Sequence, residues 1–61
     1  MNKFKVGDIV EVIDQNIKGK VLEVYFGGHN IVIDDLDSEW SYPESRLEYK
    51  QNELKLLEIK L

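Results

Sequence analysis

The chain alternates apolar and polar positions in short runs with a period of two. In Ile9-Val10-Glu11-Val12-Ile13, Val10 and Val12 fall on one side of an extended chain and Ile9, Glu11 and Ile13 on the other. This predicts a first strand over residues 8–13, with Val10 and Val12 inward because the opposite side carries the charge of Glu11. Phe4-Lys5-Val6-Gly7-Asp8 leads into it through a Gly-Asp turn signal. Asp14-Gln15-Asn16 is too short and polar for a helix and reads as a turn, after which Ile17 is expected to fold back as a lid on the mouth of the rolled sheet. A second strand follows over Lys20–Phe26. There Val21 and Val24 stand three apart, the spacing of a bent or bulged strand. Gly19, just before it, fits a place where two backbones cross too closely for a Cβ.

Gly27-Gly28-His29-Asn30 is the clearest hairpin connection, since paired glycines supply the positive φ values of a tight turn. Ile31-Val32-Ile33 is the return strand, and Asp34-Asp35-Leu36-Asp37-Ser38 is a further turn. Glu39–Tyr42 is expected as a fourth strand ended by Pro43, which has no amide to give a ladder. One helical turn over 43–46 and a fifth strand over Leu47–Tyr49 complete the series. The tail 51–61 is ambiguous. Leu54, Leu57 and Leu61 have helical spacing, whereas Leu54 with Leu56, and Ile59 with Leu61, alternate like a strand. A strand is favoured, because a helix of this length is weak on its own.

At 61 residues the chain makes one domain, with residues 1–50 forming its body and 51–61 a C-terminal extension. Only about 60% of the unfolded surface can be buried at this size, and no cysteine is present to cross-link the fold or act as nucleophile. The apolar runs are too short for a membrane span, so a cytoplasmic location is expected. The formal charge of −4 is regional. Lys3, Lys5, Lys18 and Lys20 are matched by Asp8, Glu11, Asp14 and Glu23, but residues 34–48 set six carboxylates against Arg46 alone. A general grip on a phosphate backbone is disfavoured there, and a basic partner fits better.

The pieces Phe4-x-Val6-Gly7-Asp8-x-Val10-x-Val12, Gly19-x-Val21, Ile31-Val32-Ile33-Asp34-Asp35 and Trp40-x-Tyr42 followed by Leu47 resemble the SH3-like barrels of the KOW and Tudor type, over roughly residues 4–49. The resemblance implies an all-β fold, a small closed barrel of five short, strongly bent antiparallel strands with the tail appended. In Tudor-like relatives an aromatic cluster beside a carboxylate receives methylated Lys or Arg. The positions that look similar are Tyr25, Phe26, Trp40 and Tyr42, with Asp35 or Asp37 as the acid. KOW-like relatives contact nucleic acid through a basic loop, to which Lys18-Gly19-Lys20 is a weak match.

Cation–π attraction over such rings contributes about 0.5–2 kcal/mol per contact. Against that, a small domain needs bulky core residues, and Trp40 alone can bury roughly 150–250 Å². His29, the sole histidine, has no second histidine or cysteine beside it, so no metal site and no cofactor are expected. Asp34, Asp35 and Asp37 lack the spacing of a calcium loop. Ser38, Ser41 and Ser45 have only His29 as a conceivable base, and no catalytic residues are assigned.

The function expected is therefore that of a non-catalytic protein-interaction module, binding a basic peptide or basic protein surface through Trp40, Tyr42, Tyr25, Phe26, Asp35 and Asp37. Two other readings stay open: a small acidic inhibitor or nucleic-acid mimic acting on a partner protein, and a KOW-like nucleic-acid-binding module using the N-terminal lysines. Leu54, Leu56, Leu57, Ile59 and Leu61 also leave open a homodimer through residues 51–61.

Overall fold

The computed structural model describes residues 4–58. Five strands, β1 (Ile9–Val12), β2 (Ile17–Tyr25), β3 (Asn30–Asp35), β4 (Arg46–Lys50) and β5 (Leu54–Glu58), form one antiparallel sheet in the order β4-β3-β2-β1-β5. β4 and β5 are its two edges, and no ladder joins them. The sheet is open, so the closed SH3-like barrel expected from the sequence is not what forms, and the Tudor-like and KOW-like labels fall with it. The sheet nevertheless curls, because its two edges are linked by only the one-turn 3₁₀ helix Gln51–Glu53.

The core lies on one face. Val10, Val12, Val21, Ile31, Ile33 and Leu54 are buried there, closed at the N-terminal end by Phe4, while Ile17, Val24, Leu47 and Tyr49 pack around them. The irregular spacing of Val21 and Val24 has its cause in the β2–β3 register. Val21 pairs with Ile33 and Glu23 with Val32, leaving Leu22 as the extra residue of a bulge. Gly19 is buried and pairs with both Val10 and Asp35, and the Ile33 side chain lies directly over it.

Several elements differ from expectation. Glu39–Tyr42 pairs with nothing in the sheet and belongs to the ten-residue connection 36–45 between β3 and β4. The strand expected after Pro43 is β4, one residue longer at each end than Leu47–Tyr49. Residues 43–46 are held by turn bonds, with the Glu44 amide donating to the Ser41 carbonyl and the Arg46 amide to that of Pro43. The single helical turns lie elsewhere, at Phe26–Gly28 and Gln51–Glu53. Ile17 opens β2 opposite Val12 and does not form a lid. The tail enters the sheet as β5 along β1, with a register shift between Ile9 and Val10.

Candidate functional site

The connection 36–45 carries most of the exposed apolar surface near the acidic region. Leu36, Trp40 and Tyr42 are 52%, 70% and 54% exposed. Residues 35–45 contain Asp35, Asp37, Glu39 and Glu44 and no lysine or arginine. The loop is nonetheless fastened at both ends and within. The Leu36 amide donates to the Lys18 carbonyl at 2.9 Å and the Asp35 amide to the Ser45 carbonyl at 3.0 Å. Inside the loop the Asp37 amide donates to Asp35 Oδ1 at 2.9 Å and the Trp40 amide to Ser38 Oγ at 3.0 Å. Ser45, itself buried, donates its hydroxyl to Asp34. A surface loop of this length with its own hydrogen bonds presents its side chains with little ordering left to do on contact.

The six residues expected to form one site divide into two groups. Asp35, Asp37, Trp40 and Tyr42 sit at the loop end of the β2–β3 ladder, where Gly19 faces Asp35, while Tyr25 and Phe26 sit at the other end, where Tyr25 faces Asn30. Six residues of β2 at about 3.3 Å each put roughly 20 Å between the two ends. Tyr42 partly bridges this gap. It lines a shallow recess of about 290 Å³ with Leu22, Glu23 and Asp34, and Glu23 in turn accepts the hydroxyl of Tyr25. The resulting track runs along the face of the sheet opposite the core. In its central row Val32, fully buried, stands between Glu23 and Glu48; Asn30 donates to Glu48 at 3.0 Å, and Arg46 lies 3.7 Å from the same carboxylate.

Glu23, Asp34 and Leu22 are thus site residues that the sequence reading did not assign. Their signal lay in the three-residue step from Val21 to Val24, which places Leu22 and Glu23 at the bulge. The assigned Asp35 spends one carboxylate oxygen on its own turn, and Asp37 is exposed.

At the far end, Tyr25 and Phe26 hold their rings 6.4 Å apart and tilted by 51°. Phe26 is 81% exposed and has φ 54°, a left-handed conformation that costs an L-residue with a side chain about 1–2 kcal/mol. The phenol of Tyr25 is raised above its ordinary value, chiefly by the hydrogen bond to Glu23 and then by desolvation. Among the described residues no group of three or more His, Cys, Asp or Glu is placed to hold a metal ion, and no helix is long and apolar enough to cross a membrane. Compared with known proteins, the chain matches no family model, no curated protein and no solved structure.

Proposed function

We propose that the protein is a non-catalytic interaction module of the cytoplasm that receives a basic peptide or a basic protein surface on the 35–45 loop and the recess beneath Tyr42. The observation that carries this reading is the exposure of Trp40 and Tyr42 on a hydrogen-bonded loop with four carboxylates and no cation. Exposed aromatic residues of this kind serve as anchors, and one-signed charge around them steers an oppositely charged partner. Glu23 and Asp34 add two carboxylates at the recess that Tyr42 also lines, and an aromatic ring beside carboxylates favours a cation.

Trp40 is the only tryptophan, so its fluorescence reports directly on the loop. Titration with a capped Lys/Arg-rich peptide should shift its emission to the blue and saturate, with affinity falling as salt rises. Trp40→Ala should weaken binding without unfolding the chain, because the side chain is largely in water. Asp35→Asn with Asp37→Asn keeps an Oδ1 acceptor for the Asp35 turn and removes two charges. If this double change weakened partner binding far more than Trp40→Ala, the loop would be acting as a charge mimic. A flat titration at low salt would overturn the interaction reading altogether.

A further inference from the structure

Among the described residues Phe26 is the most exposed large apolar one, 81% in water. It sits on a turn whose next two residues, Gly27 and Gly28, have φ of 65° and 98°, so three successive positions are left-handed. Glycine adopts this conformation freely, and asparagine tolerates it far better than phenylalanine does. A bulky aromatic side chain here is therefore unfavourable twice over, once in its backbone and once in its contact with water. Residues kept against both local preferences cluster where a protein contacts something else. Tyr25 stands beside it, with its hydroxyl on Glu23, one wall of the Tyr42 recess.

The ends of both edge strands are partly closed to a strand partner. At β4 the Arg46 amide is taken by the Pro43 carbonyl and the Lys50 amide by Glu53 Oε1 at 2.9 Å. At β5 the Leu54 amide donates to the Gln51 carbonyl. Strand addition thus finds some of the main-chain donors at each edge already used, whereas the side-chain track across the sheet combines exposed rings with carboxylates.

Building on the interaction reading above, we propose that the ligand is an extended basic segment that also carries one large apolar side chain, which packs on the Tyr25–Phe26 pair while the cations lie over the Tyr42 recess. The spacing follows from β2. Leu22 and Glu23 precede Phe26 by four and three residues, about 10–13 Å along a strand, so an extended ligand covers the distance in about four residues. An even number also keeps both of its side-chain groups on one face.

The test uses the full chain and synthetic capped peptides bearing a Lys-Arg-Lys cluster on a Gly/Ser background. One peptide has no apolar residue, and the others carry a single Leu two, four or six residues from the cluster on either side. The Leu at four should bind roughly tenfold tighter than the peptide without Leu, the gain expected from burying most of one leucine side chain. Phe26→Asn should abolish that gain and raise Tm by a few degrees; Phe26→Tyr should keep the gain. If the basic peptides bound in a salt-dependent way but Leu helped at no spacing, the apolar anchor would be overturned and the interaction module would stand. Failure of every peptide to bind would remove the module and the anchor together. A lower Tm for Phe26→Asn would show that the ring is held by the fold and overturn its assignment as a contact residue.

Discussion

Ile33 on β3 occupies the space that a side chain at Gly19 on β2 would need: a Cβ built at Gly19 lies 2.6 Å from Ile33 Cδ1 and 3.0 Å from its Cβ and Cγ1. The close approach lets the long β2 fold over between β1 and β3. Gly19→Ala should destabilise the protein by about 1–3 kcal/mol, read as a fall in Tm or in the denaturant midpoint. Ile33→Val removes the nearest atom, so the double variant should lose less than the sum of the two singles.

Leu54 begins β5 and is buried to 3% exposure against β1, opposite Val12. Leu54→Ala should cost about 2–4 kcal/mol, a large share of the stability open to a domain of this size. Circular dichroism with urea titration checks it, with the more exposed Leu57→Ala as a comparison expected to cost much less. A chain ending at Tyr49 should fail to fold, because it lacks the strand that covers β1.

Much of this architecture was legible in the residues. Val10 and Val12 marked the inner side of β1, Ile31–Ile33 marked β3, and the step from Val21 to Val24 marked the bulge. The error at Trp40 and Tyr42 has a plain cause: alternation alone does not say that a neighbouring strand is within reach. Turns built by Asp35, Ser38 and Ser41 hold this segment outside the sheet. Closure was not legible either, since it depends on whether β4 and β5 meet, and no residue pattern within either strand decides that. The separation of Tyr25 and Phe26 from Trp40 likewise arises from strand register, whereas the recess beneath Tyr42 depends on how the loop lies over the bulge.

Ser45 ties the end of the loop to β3 through the Asp34 carboxylate. Ser45→Ala should cost about 1–2 kcal/mol, because it removes a buried hydroxyl from a charged acceptor. It should also speed hydrogen exchange at the amides of Asp35 and Leu36, which bond to Ser45 and Lys18 across the base of the loop. Retained protection at both amides would show that the loop is held without this contact.

Tyr25 makes an alkaline signature. Its pKa is raised from 10.0 by donation to Glu23, by desolvation and by the charges of Glu23 and Glu48, with Arg46 opposing. Folding thus favours the protonated phenol. Its contribution is complete below the unfolded value of about 10 and is lost as pH rises through the folded value. Ultraviolet titration of phenolate should find one of the three tyrosines ionising late, and Glu23→Ala, which removes both the acceptor and the charge, should bring it back toward the ordinary range. An unchanged titration in that variant would remove Glu23 as the cause.

The carboxylate of Glu53, seated on the Lys50 amide, reaches beyond the capping of one short helix. An exposed strand edge is a template for pairing with another chain, and occupied main-chain donors and charged side chains blunt it. By occupying a donor at the margin of β4, Glu53 leaves one main-chain group fewer for a second copy to pair with, and replacing it with leucine should first be felt as turbidity in concentrated samples.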